Sequence, residues 1–481
     1  MKARRLEVAL TILLVLVISL TACTQTTPAP QPTNVPAQPA QPTQAEQPAQ
    51  PEQPSQPEEP APAAPTDAPS VQPVTITFWH AMSGSRGDVI TAMVQRFMDA
   101  NPHVTVEVEY TGSYAETLTK ALASYRTGQP PTIVQVYEVG TQSMLDSEAI
   151  IPVYTLNKGD IDFNDVVPPI RKYYSVQNEL YCMPFNSSTA MVYYNKDMFT
   201  AANLDPDTPP TTWAEIEEAS LAIMEAGLAE GGISMGWPAW IFEQMFAYHD
   251  QLFANQDNGR SGLADKVLFN SDFGVAVMSE WQRMAKENVL VYGGREYAAN
   301  DPFLAGQFPF LIQSTSSLGG ILKSAEFEVG TTFLPRISDD YPKGNSVVGG
   351  GCLWVMDKAT PEQQNAVYEF FKFTFSNEES MDWHKKTGYF PTTTTSYEEL
   401  QKEGWFEAEP NHATAFDQIL SGVDTAAANG VLLGNFVQIR DIVGAAIEDV
   451  VVNNVAPKTA LEKAEADSNQ VLEDYGSLIG Q

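Results

Sequence analysis

The sequence predicts an α/β fold for residues 74–481, on two observations. Between Val74 and Tyr137 the pattern runs strand, helix, strand, helix, strand. That order builds a layer of helices on parallel strands. The second observation is length. About 400 residues exceed what one ordinary core fills and suit two domains.

Each element has a local reason. Val74-Thr75-Ile76-Thr77-Phe78-Trp79 is strand-like. After a Gly/Ser loop, Ile90, Met93, Val94 and Phe97 recur at helical spacing, and Asn101-Pro102 ends that helix. Val104, Val106 and Val108 alternate with Thr105, Glu107 and Glu109, the signature of a half-buried strand. A second helix fits Ala115 to Thr127, and Pro131 to Tyr137 returns as strand. Thr212-Trp213-Ala214-Glu215 reads as a capping box that opens a further helix. Helices dominate from Pro361, including Gln364 to Phe375 and a terminal one from about Ala456. No internal repeat is visible.

Residues 1–73 stand apart from the fold. Lys2, Arg4 and Arg5 precede an apolar run from Val8 to Leu20 that only Thr11 and Ser19 break. The run is short for a membrane span and sits where an export signal sits. Leu20-Thr21-Ala22-Cys23 resembles a bacterial lipobox. That resemblance implies cleavage after residue 22 and a lipid on Cys23, which places the protein outside the cytoplasmic membrane, anchored and not spanning. The alternative is an ordinary signal peptide followed by a cysteine. Residues 24–73 are mostly Pro, Gln, Ala, Thr and Glu, without an aromatic residue, and hold nearly half of the chain's 34 prolines. Such a segment cannot bury enough to offset its ordering entropy. It reads as a tether over 23–73, with an upper reach on the order of 150 Å if extended as polyproline II.

The formal net charge is -33. Removing residues 1–22 takes away three basic residues and one acidic residue, leaving 24 basic and 59 acidic residues, or -35. Nucleic acid and anionic lipid surfaces are therefore poor partners. Of three cysteines, Cys23 is assigned to lipid, while Cys182 and Cys352 fit either a disulfide of an exported protein or two buried thiols. The five histidines show no metal-ligand spacing, so neither metal nor cofactor is expected.

Gly232-Ile233-Ser234-Met235-Gly236 matches the G-x-S-x-G nucleophile elbow and raises a lipid-anchored serine hydrolase as an alternative. The elbow needs a strand before the serine and a helix after it. A helical Ala/Glu/Leu stretch precedes this one, and Trp237-Pro238 follows almost at once.

Polar and aromatic groups cluster in Gly- and Pro-rich turns along the whole body. The runs Ile76 to Met82, Tyr114 to Leu118, Glu138-Val139-Gly140-Thr141, Pro184 to Thr189, Tyr193 to Asp197, Trp383 to Tyr389, and Leu433-Gly434-Asn435 with Gln438-Ile439-Arg440 are the informative ones. Together they resemble the extracellular solute-binding proteins of ABC importers, of the glycerol-3-phosphate-binding type, over essentially all of residues 74–481. The resemblance implies a two-lobed type II periplasmic-binding-protein fold with a central cleft, no enzymatic activity, a monomer, and ABC permease subunits as partners. Lobe one is expected at 74–187 with 302–352, and lobe two at 188–301 with 353–481. Cys182 and Cys352 would then both lie near the crossing strands, where a hinge disulfide is one outcome.

Carried over by position, the ligand residues fall on Tyr114, Glu138, Ser188, Trp237, Trp240, Ser314, Gly350, Tyr389 and Arg440. The serine-rich run 313–317 departs from the family pattern, which leaves the choice between Ser314 and Ser316 open. Trp237 favours glycerol 3-phosphate without excluding its diesters. A neutral oligosaccharide is the other ligand class, and Arg440 with clustered hydroxyls argues against it. The chemistry suits a phosphoester. Arg440 offers a bidentate fork, Ser188, Ser314, Tyr114 and Tyr389 offer hydroxyl donors, and Gly350 lets a backbone N–H approach. Glu138, an acceptor when ionised, suits glycerol hydroxyls, and Trp237 and Trp240 suit its C–H edges.

Overall fold

The computed structural model describes residues 72–480. The expected signal peptide, Cys23 and nearly all of the tether lie outside the described residues. The rest is built on two main sheets.

The first sheet starts as the sequence predicts. β1 (Val74–His80), α1 (Gly84–Ala100), β2 (Val104–Tyr110), α2 (Tyr114–Arg126) and β3 (Ile133–Tyr137) follow in order, with β1 parallel to both β2 and β3. β2 buries Val104 and Val106 and exposes Thr105 and Glu107, because successive side chains point to opposite faces. α1 buries Ile90, Met93, Val94 and Phe97, the stripe its spacing predicts. The short β4 (Ile150–Ile151), β5 (Met183–Ser188) and a later strand over Gly349–Met356 complete this sheet.

At Thr189 the chain leaves the first sheet for the second. β6 (Ala190–Asn195) starts there, and α3 (Trp213–Glu225) follows, opened by the predicted capping box of Thr212 and Glu215. Next come β7 (Ile233–Met235), α4 (Pro238–Tyr248), α5 (Asp272–Lys286), β8 (Leu290–Val291), β9 (Phe310–Ser314) and β10 (Val329–Thr332). The second sheet has the order β8-β7-β9-β6-β10. β11 (Gly349–Met356) then returns to the first sheet, antiparallel to β3, β4 and β5. α6 (Pro361–Thr374) packs on β1 and α1, and α7 (Asn377–Thr387) packs on α1 as well. α8 (Phe436–Val451) and α9 (Pro457–Leu478) pack on each other and on α5 of the second lobe.

These pairings correct the expected lobe boundaries. Residues 302–352 do not all join lobe one. β9, buried on both faces, inserts between β7 and β6, and β10 pairs with β6 at the edge. Residues 353–481 do not all join lobe two, since β11 runs on to Met356 in the first sheet and α6 covers that sheet. The open question of the cysteines is resolved. Cys182 and Cys352 form a disulfide with a Cα–Cα distance of 5.8 Å, both fully buried beside the strands where the chain changes sheets.

Candidate functional site

The expected ligand residues sit at strand ends and near helix starts, except Tyr389, which follows the end of α7. Glu138 follows β3, Ser188 closes β5 and Ser314 closes β9. Tyr114 opens α2, Trp237 caps α4, Trp240 lies in its first turn, and Arg440 lies in the second turn of α8. Ends of strands in α/β sheets gather side chains into a crevice without interrupting the ladder. Here all nine expected residues line one inner chamber of about 40 Å³. Tyr137, Tyr297, Ser316 and Gly349 complete its wall. An outer chamber of about 350 Å³ adjoins it, with Tyr114, Tyr137, Trp237, Trp240, Tyr297 and Arg440 lining both.

At one end, Arg440 is held between two acids. Its Nη1 donates to Glu138 Oε1 at 2.6 Å, and its Nη2 and Nε donate to Glu243 Oε2 at 2.6 and 3.2 Å. The Arg440 side chain is 14% exposed, against 5% for Glu138 and 2% for Glu243. Burial works to lower the Arg440 pKa, but Glu243 and Glu138 outweigh it and hold the guanidinium charged. Burial pushes the Glu243 carboxyl up, against the pull of Arg440. This differs from the expected bidentate hold of Arg440 on a phosphate. Most of the fork already faces carboxylates, and the cluster carries a formal charge of about −1 with all three groups ionised.

The other end is a cluster of hydroxyls. Tyr114 Oη accepts from Asn186 Nδ2 at 2.8 Å, and Asn186 Oδ1 accepts from Gln135 Nε2 at 2.8 Å, which fixes the phenol from behind. Burial pushes the Tyr114 and Tyr297 phenols up, so both remain protonated donors at neutral pH. Ser314 Oγ and Ser316 Oγ lie 3.0 Å apart, and both line the inner chamber. The ambiguity between these serines therefore dissolves into a shared pair. Gly350 has φ of +93°, and a Cβ there would lie 1.8 Å from Asn186 O, so only glycine fits. The Tyr389 ring stacks on Trp383 at 5.7 Å, and its carbonyl lies 2.7 Å from His384 Nδ1.

The indole of Trp237 meets the Tyr297 ring edge-on at 5.5 Å. Trp237 takes a left-handed φ of 53°, and Asn435, which caps the helix of Arg440, takes 48°. Such conformations cost on the order of 1–2 kcal/mol in a non-glycine residue and recur at functional sites.

Sequence reasoning missed Glu243, Arg86 and Tyr297. Glu243 had a readable signal: an acid inside Pro238–Tyr248, where every neighbour from Trp240 to Ala247 is buried. An acid there needs a partner. Arg86 and Tyr297 had none, because each is placed by the other across the fold. The alternative nucleophile fails on geometry. Ser234 lies inside β7, between β8 and β9, and not on a strand-to-helix turn. Its Oγ is buried without a hydrogen-bond partner among the described residues.

The comparisons with known proteins agree with this architecture. The model of a family described as bacterial extracellular solute-binding protein matches residues 92–414. The chain belongs to that family. It is 36% identical over 409 residues to the sn-glycerol-3-phosphate-binding periplasmic protein UgpB of Escherichia coli (strain K12), covering 83% of this chain and 93% of that protein. The same identity and coverage hold over 410 residues for UgpB of Salmonella typhimurium (strain LT2). Among solved structures, UgpB from Mycobacterium tuberculosis in complex with glycerophosphocholine superposes with a TM-score of 0.71 at 20% identity, covering 83% of this chain and 98% of that one. The cyclic alpha-maltosyl-1,6-maltose binding protein from Arthrobacter globiformis gives 0.69 at 21% identity, covering 84% and 100%. These two likenesses show that the fold is that of the two-lobed solute-binding proteins.

Proposed function

We propose that this chain is the substrate-binding component of an ABC importer, and that it captures sn-glycerol 3-phosphate or a glycerophosphodiester outside the cytoplasmic membrane. The observation that carries the reading is the meeting of nine residues, drawn from both lobes, in one small chamber. The identity to the sn-glycerol-3-phosphate-binding relatives supports it. Hydroxyls of Tyr114, Ser188, Ser314 and Tyr389 and the N–H at Gly350 take the phosphate oxygens. Glu138, with the N–H groups that Arg440 has left, takes the glycerol hydroxyls. Trp237 and Trp240 cover the C–H edges. The protein acts as a carrier and not as an enzyme. It is a monomer held to the membrane by lipid on Cys23, and it hands the ligand to permease subunits.

A thermal-shift panel tests this. A ligand at a hundredfold excess over its Kd stabilises by about 2.7 kcal/mol. Glycerol 3-phosphate or glycerophosphocholine should raise the Tm clearly, and maltose should not. A shift by maltose alone replaces this reading with that of a sugar carrier.

A further inference from the structure

The carboxylates around Arg440 leave open which cation meets the phosphate. We propose that Arg86 supplies that charge and sets a preference for a doubly charged phosphate monoester over a singly charged diester. The inference rests on the phosphoester reading above.

Three observations carry it. First, Arg440 is already neutralised. Its guanidinium lies 2.6 Å from a Glu138 oxygen and 2.6 Å from a Glu243 oxygen, so that end repels a dianion and suits uncharged hydroxyls. Second, Arg86 makes no ion pair among the described residues. Its guanidinium sits 4.9 Å from the centre of the Tyr297 ring, and its Nη1 lies 2.9 Å from Tyr297 Oη and 3.5 Å from Ser316 Oγ. Its partners are neutral, so its positive charge is left for a ligand. Third, Arg86 lines the outer chamber with Tyr114 and Tyr297, and its two contacts, Tyr297 and Ser316, line the inner one. Ser316 Oγ bridges Arg86 to Ser314 Oγ at 3.0 Å, and Tyr114, Tyr297 and Tyr389 are its ionisable neighbours. Tyr137 stacks on Tyr114 at 5.1 Å and also neighbours Arg440 and Glu138, so it stands between the two groups. The two adjoining chambers thus set the Arg86 cation with its hydroxyls on one side and the carboxylates around Arg440 on the other, which fixes the direction of a ligand with one anionic terminus.

Placement adds a condition. Arg86 belongs to the first turn of α1 on the first sheet, while Tyr297 and Ser316 follow β8 and β9 of the second. The cation therefore reaches the phosphate only when the two lobes are together. A charge that arrives with closure favours the ligand with more negative charge to receive it.

Calorimetry on the full chain and on Arg86→Gln, Arg86→Lys and Arg440→Gln tests this, with glycerol 3-phosphate and glycerophosphocholine as ligands. Arg86→Gln should weaken the monoester about tenfold or more and the diester no more than about threefold, so the ratio of affinities falls. Arg86→Lys should restore most of that ratio, because it restores the charge without the fork. Arg440→Gln should weaken both ligands alike, since both carry the same glycerol end. Should Arg86→Gln prove unstable, Arg86→Lys carries the test alone. A lysine variant that keeps near-wild-type affinity for both ligands supports a role in charge, and one that weakens both ligands by the same large factor marks Arg86 as a strut for Tyr297. Wild-type monoester affinity in Arg86→Gln, or equal loss of both ligands, overturns the proposal. Failure of the wild type to bind either phosphoester overturns the phosphoester reading itself, before any variant is compared.

Discussion

Arg440 lies between two carboxylates that water barely reaches, so removing it reaches beyond ligand binding. In Arg440→Ala, Glu138 and Glu243 stay buried and lose the cation that both contact. Breaking a buried pair by deleting one partner costs about 3–5 kcal/mol. Urea unfolding at pH 7 should show a loss of that size together with the loss of glycerol 3-phosphate binding. Glu243→Gln removes one buried charge and keeps an oxygen for the guanidinium, and it should cost about 1 kcal/mol. An Arg440→Ala protein that unfolds at the wild-type urea midpoint would show that the cluster contributes nothing net. The sequence displayed this cluster unevenly. Arg440 and Glu138 stand in recognisable runs, and Glu243 stands out as an acid in an apolar helix. Arg86 sits in Ser83–Gly87, a Gly/Ser stretch with no periodicity, and its position depends on Tyr297, 211 residues away. Local sequence carries no trace of such a contact.

Elements were more legible than their assembly. Periodicity placed β1 to β3 and the helices between them, because alternation and 3.6-residue spacing are local properties of one stretch of chain. Sheet membership is not local. β9 and β10 pair with β6, which lies more than a hundred residues earlier in the chain, and no spacing rule reveals that. The disulfide is legible only once this assembly exists, since it joins residues 170 apart at the return of β11. A cross-link closing so long a loop restricts the unfolded chain strongly, and loss of a native disulfide costs about 2–5 kcal/mol. Cys352→Ala should therefore lower stability by that amount in denaturant. Ligand affinity should fall less, because neither sulfur lines the chamber. Wild-type stability in this variant would mean that the strand pairing of β11 with β5 suffices to hold the crossing. At the start of α4, Trp237→Ala keeps the left-handed cap but removes the indole, so affinity should fall about tenfold with little change in stability. Unchanged affinity would assign Trp237 to packing against Tyr297.

At the scale of the whole molecule, four buried histidines couple the fold to pH. Burial lowers His80, His249 and His412 to about 4 and His384 to about 3. In the unfolded chain each takes up a proton near pH 6.5. Between pH 6.5 and 4 the unfolded state thus binds more protons, and stability falls on acidification by up to about 1.4 kcal/mol per pH unit for each histidine. Glu243 and Asp417, whose carboxyls are raised by burial, act in the opposite direction as two groups against four. Urea midpoints measured from pH 7.5 down to 5 should therefore decrease below pH 6.5, and a flat profile would mean that the folded histidines titrate normally. The same scale governs ligand capture. Arg440 reaches Glu138, and Arg86 reaches Tyr297, each contact joining the element of one sheet to that of the other. A small ligand that touches residues of both lobes binds the joined form better than a separated one, and that difference in affinity shifts the population toward closure. Small-angle scattering should then show a smaller radius of gyration with saturating glycerol 3-phosphate and no change with maltose. Glu138→Gln weakens one cross-lobe ion pair, so it should need more ligand to reach the same compaction. A radius left unchanged by a phosphoester that calorimetry shows to be bound would mean that the lobes are already joined before the ligand arrives, and that affinity comes from a preformed chamber.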